Sequence, residues 1–201
     1  MKARIALFSL LLLAALQAPA QCGLSAVVGT WTALPCGNFT STATTTTYES
    51  SVLSGSYSDF TVEAVMIATR PVQPTAANTL FLRGTPLPLH GSAQTWDSGV
   101  AFNFTTNGKF SIFRYVGGVG SPLQPWTFPT GVSIAGSGSP NTLKVVASGG
   151  VLDFFINGVL VKTITGETLL SGQIGVGMVR SVPTDGDPDD SLEVVALSVT
   201  P

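Results

Sequence analysis

Apolar and polar residues alternate over much of the chain from residue 57 onward. In residues 59–67, DFTVEAVMI, one side carries Phe60, Val62, Ala64 and Met66, and the other carries Thr61 and Glu63. A period of two predicts a half-buried β-strand. Residues 78–84, NTLFLRG, predict another, and residues 192–199 a terminal one. Two further stretches, residues 99–115 and 141–179, are split by Asn107-Gly108 and by Asn157-Gly158. Asn-Gly between apolar runs predicts a two-residue type I′ hairpin, whose central residues both need positive φ. Counting outward from Asn157-Gly158 pairs Ile156 with Val159, Phe155 with Leu160, Phe154 with Val161, Asp153 with Lys162 and Leu152 with Thr163. Opposite charges meeting on one cross-strand pair support that register. The same counting from Asn107-Gly108 pairs Phe104 with Ser111, Phe102 with Phe113 and Val100 with Tyr115, all facing the core. Ala101, Asn103, Ile112 and Arg114 then lie on the opposite face. Many short strands between Gly/Pro-rich turns, with no amphipathic helix among them, predict a two-sheet all-β sandwich.

The first twenty residues break this pattern. Lys2 and Arg4 precede an apolar run over residues 5–16, and Ala18-Pro19-Ala20 supplies a small-x-small cleavage site. That is the layout of an export signal, and the run is too short to span a bilayer. The expected location is periplasmic or extracellular, with no transmembrane segment. Residues 21–56 are expected to hold a disulfide loop and the first strands, and residues 57–201 the remainder of the same domain. Without the signal the chain carries 7 basic and 11 acidic residues, a net charge of −4. No basic stripe exists, which argues against a nucleic-acid partner. Two cysteines in an exported chain most simply pair, as Cys22 with Cys36. Lipidation of Cys22 is the rival reading. The bridge would be worth about 3 kcal/mol in the chain-entropy model.

The order of GVAFNFTTNGKFSIFRY, LQPWTFPTGVSI, NTLKVVASGGVLDFFINGVLV and SGQIGVGM, with a final strand, resembles the concanavalin A-like or laminin G-like jelly roll. The similarity is greatest to a branch in secreted bacterial proteins that shades into the 3-keto-disaccharide hydrolase family. DFTVEA followed by NTLFLRG resembles that family's N-terminal half. The resemblance implies two antiparallel sheets and a curved face able to meet a ligand. It also implies a structural place for Trp126. Where hydrolase relatives carry a richer polar set, this chain has Thr79, Leu80 and Phe81 before Arg83.

Candidate chemistry is sparse. Glycosidases need two carboxyls facing one cleft. Asp59 and Glu63 share a strand face but stand ~13 Å apart at the usual rise. His90, the single histidine, has no evident acid/base partner nearby in the sequence. Asp185, Asp187 and Asp189 alternate in a loop, as carboxylates do around Ca2+. A sugar-binding surface is expected from Trp96, Asn103, Arg114, Phe155 and Lys162, joined by Arg83. These offer aromatic faces and hydrogen-bonding groups. The expected function is a secreted non-catalytic module for a glycan or another extracellular surface ligand. The alternatives are a glycoside-active enzyme of the 3-keto-disaccharide hydrolase kind, acting on 3-keto-glycosides as hydrolase or lyase, and a purely structural surface or matrix domain.

Overall fold

A computed structural model describes residues 23–32, 36–40, 48–69, 73–179 and 190–201. The export signal, Cys22 and the aspartates Asp185, Asp187 and Asp189 lie outside the described residues. No helix occurs among the described residues, and none there is long and apolar enough to cross a membrane. Among the described residues the strands, numbered in chain order, form two antiparallel sheets of seven. The first runs in space β1 (Leu24–Val28), β4 (Tyr48–Leu53), β13 (Gln173–Val179), β6 (Asn78–Thr85), β7 (Ser98–Phe104), β8 (Phe110–Val116), β9 (Val119–Thr127). The second runs β12 (Val159–Ile164), β11 (Val151–Ile156), β10 (Pro140–Ser148), β5 (Phe60–Thr69), β14 (Ser191–Thr200), β3 (Asn38–Thr40), β2 (Trp31–Thr32).

Strand alternation fills the space between the sheets. Leu80, Leu82, Val100, Phe102, Phe104 and Val176 project from the first sheet and Val62, Ala64, Met66, Leu152, Phe154 and Ile156 from the second; all are buried. Phe102 and Phe154 meet edge to face across the interior, 5.1 Å between centroids. Cys36 is buried in the same core. Each fully buried side chain of this size contributes about 1.5–3 kcal/mol.

The two Asn-Gly turns behave differently. Asn157 and Gly158 both have positive φ, 48° and 82°, as type I′ requires. Ile156–Val159 and Phe155–Leu160 pair as expected, and then a bulge shifts the ladder, so Phe154 faces Lys162 and Asp153 faces Thr163. Asp153 therefore accepts a hydrogen bond from the Thr163 hydroxyl at 2.5 Å instead of pairing with Lys162. In the other hairpin only Gly108 has positive φ, at 93°. Its N–H donates to Thr105 O, and Thr105 N–H donates to Lys109 O. That is a three-residue loop, a type I turn followed by a left-handed glycine. The register moves by one: Phe104 pairs with Phe110, Phe102 with Ile112 and Val100 with Arg114. A one-residue slip exchanges faces. Ile112 thus enters the core, while Ser111, Phe113 and Tyr115 join Ala101 and Asn103 on the outer face.

Candidate functional site

The outer face of the first sheet begins as a buried polar row. Ser50, Thr79, Asn103 and Ser111 lie on it, each almost wholly buried. Thr79 donates its hydroxyl to Asn103 Oδ1 at 2.7 Å. Asn103 Nδ2 donates to Ser111 Oγ at 3.2 Å and to Ala101 O at 3.3 Å. Asn103 thus spends both ends of its amide on the protein and anchors the face.

Trp96 also turns inward. It is 1 % exposed and stacks on Phe81 at 4.3 Å and 10°. Its Nε1 donates to Ser50 Oγ at 3.0 Å. Glycines make the slot: a Cβ at Gly84 would lie 2.5 Å from the indole, and one at Gly175 would lie 2.7 Å from it. Ala101 completes this second small core, with Tyr48, Val52, Leu89 and Tyr115 packed against it. Burial first, and then the adjoining Tyr115 phenol, pushes the Tyr48 pKa upward, so Tyr48 remains a neutral hydrogen-bonding group.

Arg83 and Arg114 serve the framework. Arg83 has φ 47° within a bulge of β6, which aims its side chain at the loops of one end of the sandwich. Its guanidinium donates to the carbonyls of Ser58, Gly149 and Leu169. Arg114 donates through Nε and Nη2 to Glu167 Oε2, at 3.1 and 2.8 Å. Glu167 Oε1 accepts from the backbone N–H groups of Thr168 and Leu169. The buried carboxylate therefore fixes the β12–β13 connection to β8. Arg114→Ala leaves that charge without its counterion and is expected to lower stability by about 3 kcal/mol. Chemical denaturation checks the value, and a change below about 0.5 kcal/mol would contradict the assignment.

Phe155 and Lys162 belong to the other sheet. Lys144 Nζ lies 5.6 Å from the Phe155 ring centroid on that sheet's outer face. The six residues expected to form one sugar-binding surface are therefore dispersed: two in buried packing, Arg114 in an ion pair, Asn103 in a buried network, and two on the opposite sheet. His90 does have a carboxylate partner. Its Nε2 lies 2.8 Å from Asp97 Oδ1, across the small bridge between His90 and Thr95.

An open cleft of about 270 Å³ lies on the outer face of the first sheet, where β7 turns into β8. Thr75, Thr105, Asn107, Lys109 and Trp126 line it. Thr105 follows Asn103 by two residues on β7's outer face, and Lys109 precedes Ser111 by two on β8's. The Thr105 hydroxyl contacts Asn107 Oδ1 at 2.6 Å and accepts from Lys109 N–H at 3.1 Å. Asn107 N–H donates to Pro74 O at 3.1 Å and holds the hairpin tip against the segment bearing Thr75. Trp126, on the neighbouring strand β9, is 40 % exposed. As a tryptophan in a Gly/Pro-rich stretch it is, with Trp96, a candidate for stacking on a sugar, while the family resemblance implies a structural place; its exposure favours the first. Among the described residues no carboxylate lines this cleft, and no three His, Cys, Asp or Glu side chains gather into a metal-binding group.

No family model matches the sequence, and no curated protein matches it. Among solved structures the chain is similar to the carbohydrate-binding module CBM66 from Bacillus subtilis, with TM-score 0.63 and 17 % identity over 89 % of this chain and 95 % of that one. It is also similar to the carbohydrate recognition domain of Emp46p in its metal-free form, with TM-score 0.59 and 13 % identity over 88 % and 86 % of the two chains. A β-glucanase from Bacillus licheniformis gives TM-score 0.54 and 16 % identity over 82 % and 78 %. At these identities the likeness establishes the fold, a jelly-roll sandwich of the concanavalin A-like type.

Proposed function

We propose that the protein is an exported, non-catalytic module that binds glycan in the cleft at the β7–β8 tip. The observation that carries this reading is the lining itself. An exposed indole stands beside two threonines, an asparagine and a lysine, with no carboxylate among them. Tryptophan offers a flat apolar face to the C–H side of a sugar, and the polar groups match its hydroxyls. Hydrolysis of a glycosidic bond needs an acid and a second carboxylate, and the described residues of this lining include neither. Two solved structures of similar fold are named for carbohydrate binding or recognition, and a third is a glucanase. The Lys2/Arg4 signal and the expected Cys22–Cys36 bridge suit an extracellular setting.

A glycan array tests the reading. Wild type is expected to bind at least one glycan class, and Trp126→Ala to lose at least tenfold in affinity with an unchanged melting temperature. Equal binding by both proteins would remove the cleft from the account. A turnover screen that includes 3-keto-disaccharides tests the enzymatic alternative, and turnover by wild type would replace the binding module with an enzyme.

A further inference from the structure

We infer, building on the proposed glycan cleft, that the site continues past Phe128 into a second hollow, so that the module recognises a chain of at least two sugar residues. Phe128 follows β9 directly and is 63 % exposed. Among the described residues the contact found on this ring is the Lys109 ammonium, so most of its apolar face is open to a ligand. Lys109, which lines the first cleft, holds its Nζ 5.3 Å from the centre of the Phe128 ring. Phe128 in turn lines a second hollow of about 250 Å³, with Gln124, Thr127 and Thr130 on one side and Leu160 and Val161 on the other. The linings of the two spaces therefore touch at the Lys109–Phe128 contact, around the end of β9. The first space lies on the outer side of that strand and the second, which Phe110 also lines, on its inner side. Each offers one exposed aromatic ring and several neutral hydrogen-bonding groups, a repeat of the same recognition chemistry.

Backbone polarity favours a sugar chain over a peptide strand. β9 and β12 are the end strands of their sheets among the described residues, and the hollow lies between them. A peptide adding to β9 would need a regular ladder of donors. Pro122 and Pro125 lack N–H groups, and bulges interrupt the pairing of β9 with β8. Sugar hydroxyls need no such ladder and can use isolated carbonyls and side chains.

The experiment is calorimetric titration of the full mature protein with cello-, laminari-, manno- and mannuronate oligosaccharides of one to six residues. In a series that binds, affinity is expected to rise about tenfold, about 1.4 kcal/mol, from one to three residues and then level off. Phe128→Ala is expected to bring the trisaccharide down to the affinity of the single ring. Gln124→Ala, which leaves the ring in place, is expected to lose about threefold on the trisaccharide. Affinity independent of length, or a length gain that survives both substitutions, would overturn the extended site and leave the single cleft standing. Binding by none of the four series would overturn both.

Discussion

Replacing Arg83 with Met is expected to lower the unfolding free energy by about 3–5 kcal/mol, the usual cost of breaking a buried charged interaction from one side. The guanidinium is fully buried as a side chain, and burial pushes its pKa downward against the opposing pull of Asp59 and Glu167. It binds three carbonyls from separate places: Ser58 before β5, Gly149 between β10 and β11, and Leu169 between β12 and β13. One side chain on the first sheet thus ties down loops belonging to the second sheet and to the connection between sheets. Methionine fills much of the volume but leaves those acceptors without their donor. Lysine keeps the charge but offers a single ammonium where a planar fork spans several acceptors, so Arg83→Lys is expected to recover only part of the loss. Urea denaturation measures both variants. A loss below about 1 kcal/mol for Arg83→Met would mean that water or loop movement satisfies the carbonyls equally well.

Trp96→Ala is expected to cost about 3–5 kcal/mol as well, the range for emptying a buried aromatic site. The indole fills a slot floored by glycine, stacks on Phe81 and bonds Ser50, so its removal opens a cavity that Gly84 and Gly175 cannot fill. The same variant is expected to keep its glycan affinity at temperatures where it remains folded. This contrasts with Trp126→Ala, which is expected to keep its stability and lose affinity. Reversal of the two phenotypes would mean that the residues have each other's roles.

Much of the framework was legible because it rests on local signals. The alternation of Phe60, Val62, Ala64 and Met66 places β5 correctly, and Asn157-Gly158 identifies its turn because positive φ is needed at two adjacent residues. The same dipeptide misleads at Asn107-Gly108. There Thr105 and Lys109 close a longer loop, and the choice between two-residue and three-residue turns depends on contacts such as Asn107 to Pro74 that adjacent residues do not encode. That single slip moved Arg114 to the wrong face. The bulge at Phe154 and Phe155 had a similar effect on Lys162. The cleft was hidden for a different reason. Thr75, Lys109 and Trp126 come from three separate segments, and only the sheet order brings them to one place. Trp96 looked available because it sits in a Pro/Gly-rich region, but its burial depends on Gly175, seventy-nine positions away in the sequence.

The most direct test of the central claim follows the three indole N–H resonances of a ¹⁵N-labelled protein, assigned by Trp31→Phe, Trp96→Phe and Trp126→Phe. The titrant is the strongest binder from the glycan array. The account predicts saturable movement of the Trp126 indole signal together with the backbone amides of Thr105 and Lys109, while the Trp96 signal stays in place. Saturable shifts centred on Phe155 and Lys144 of the second sheet, with Trp126 unmoved, would contradict it.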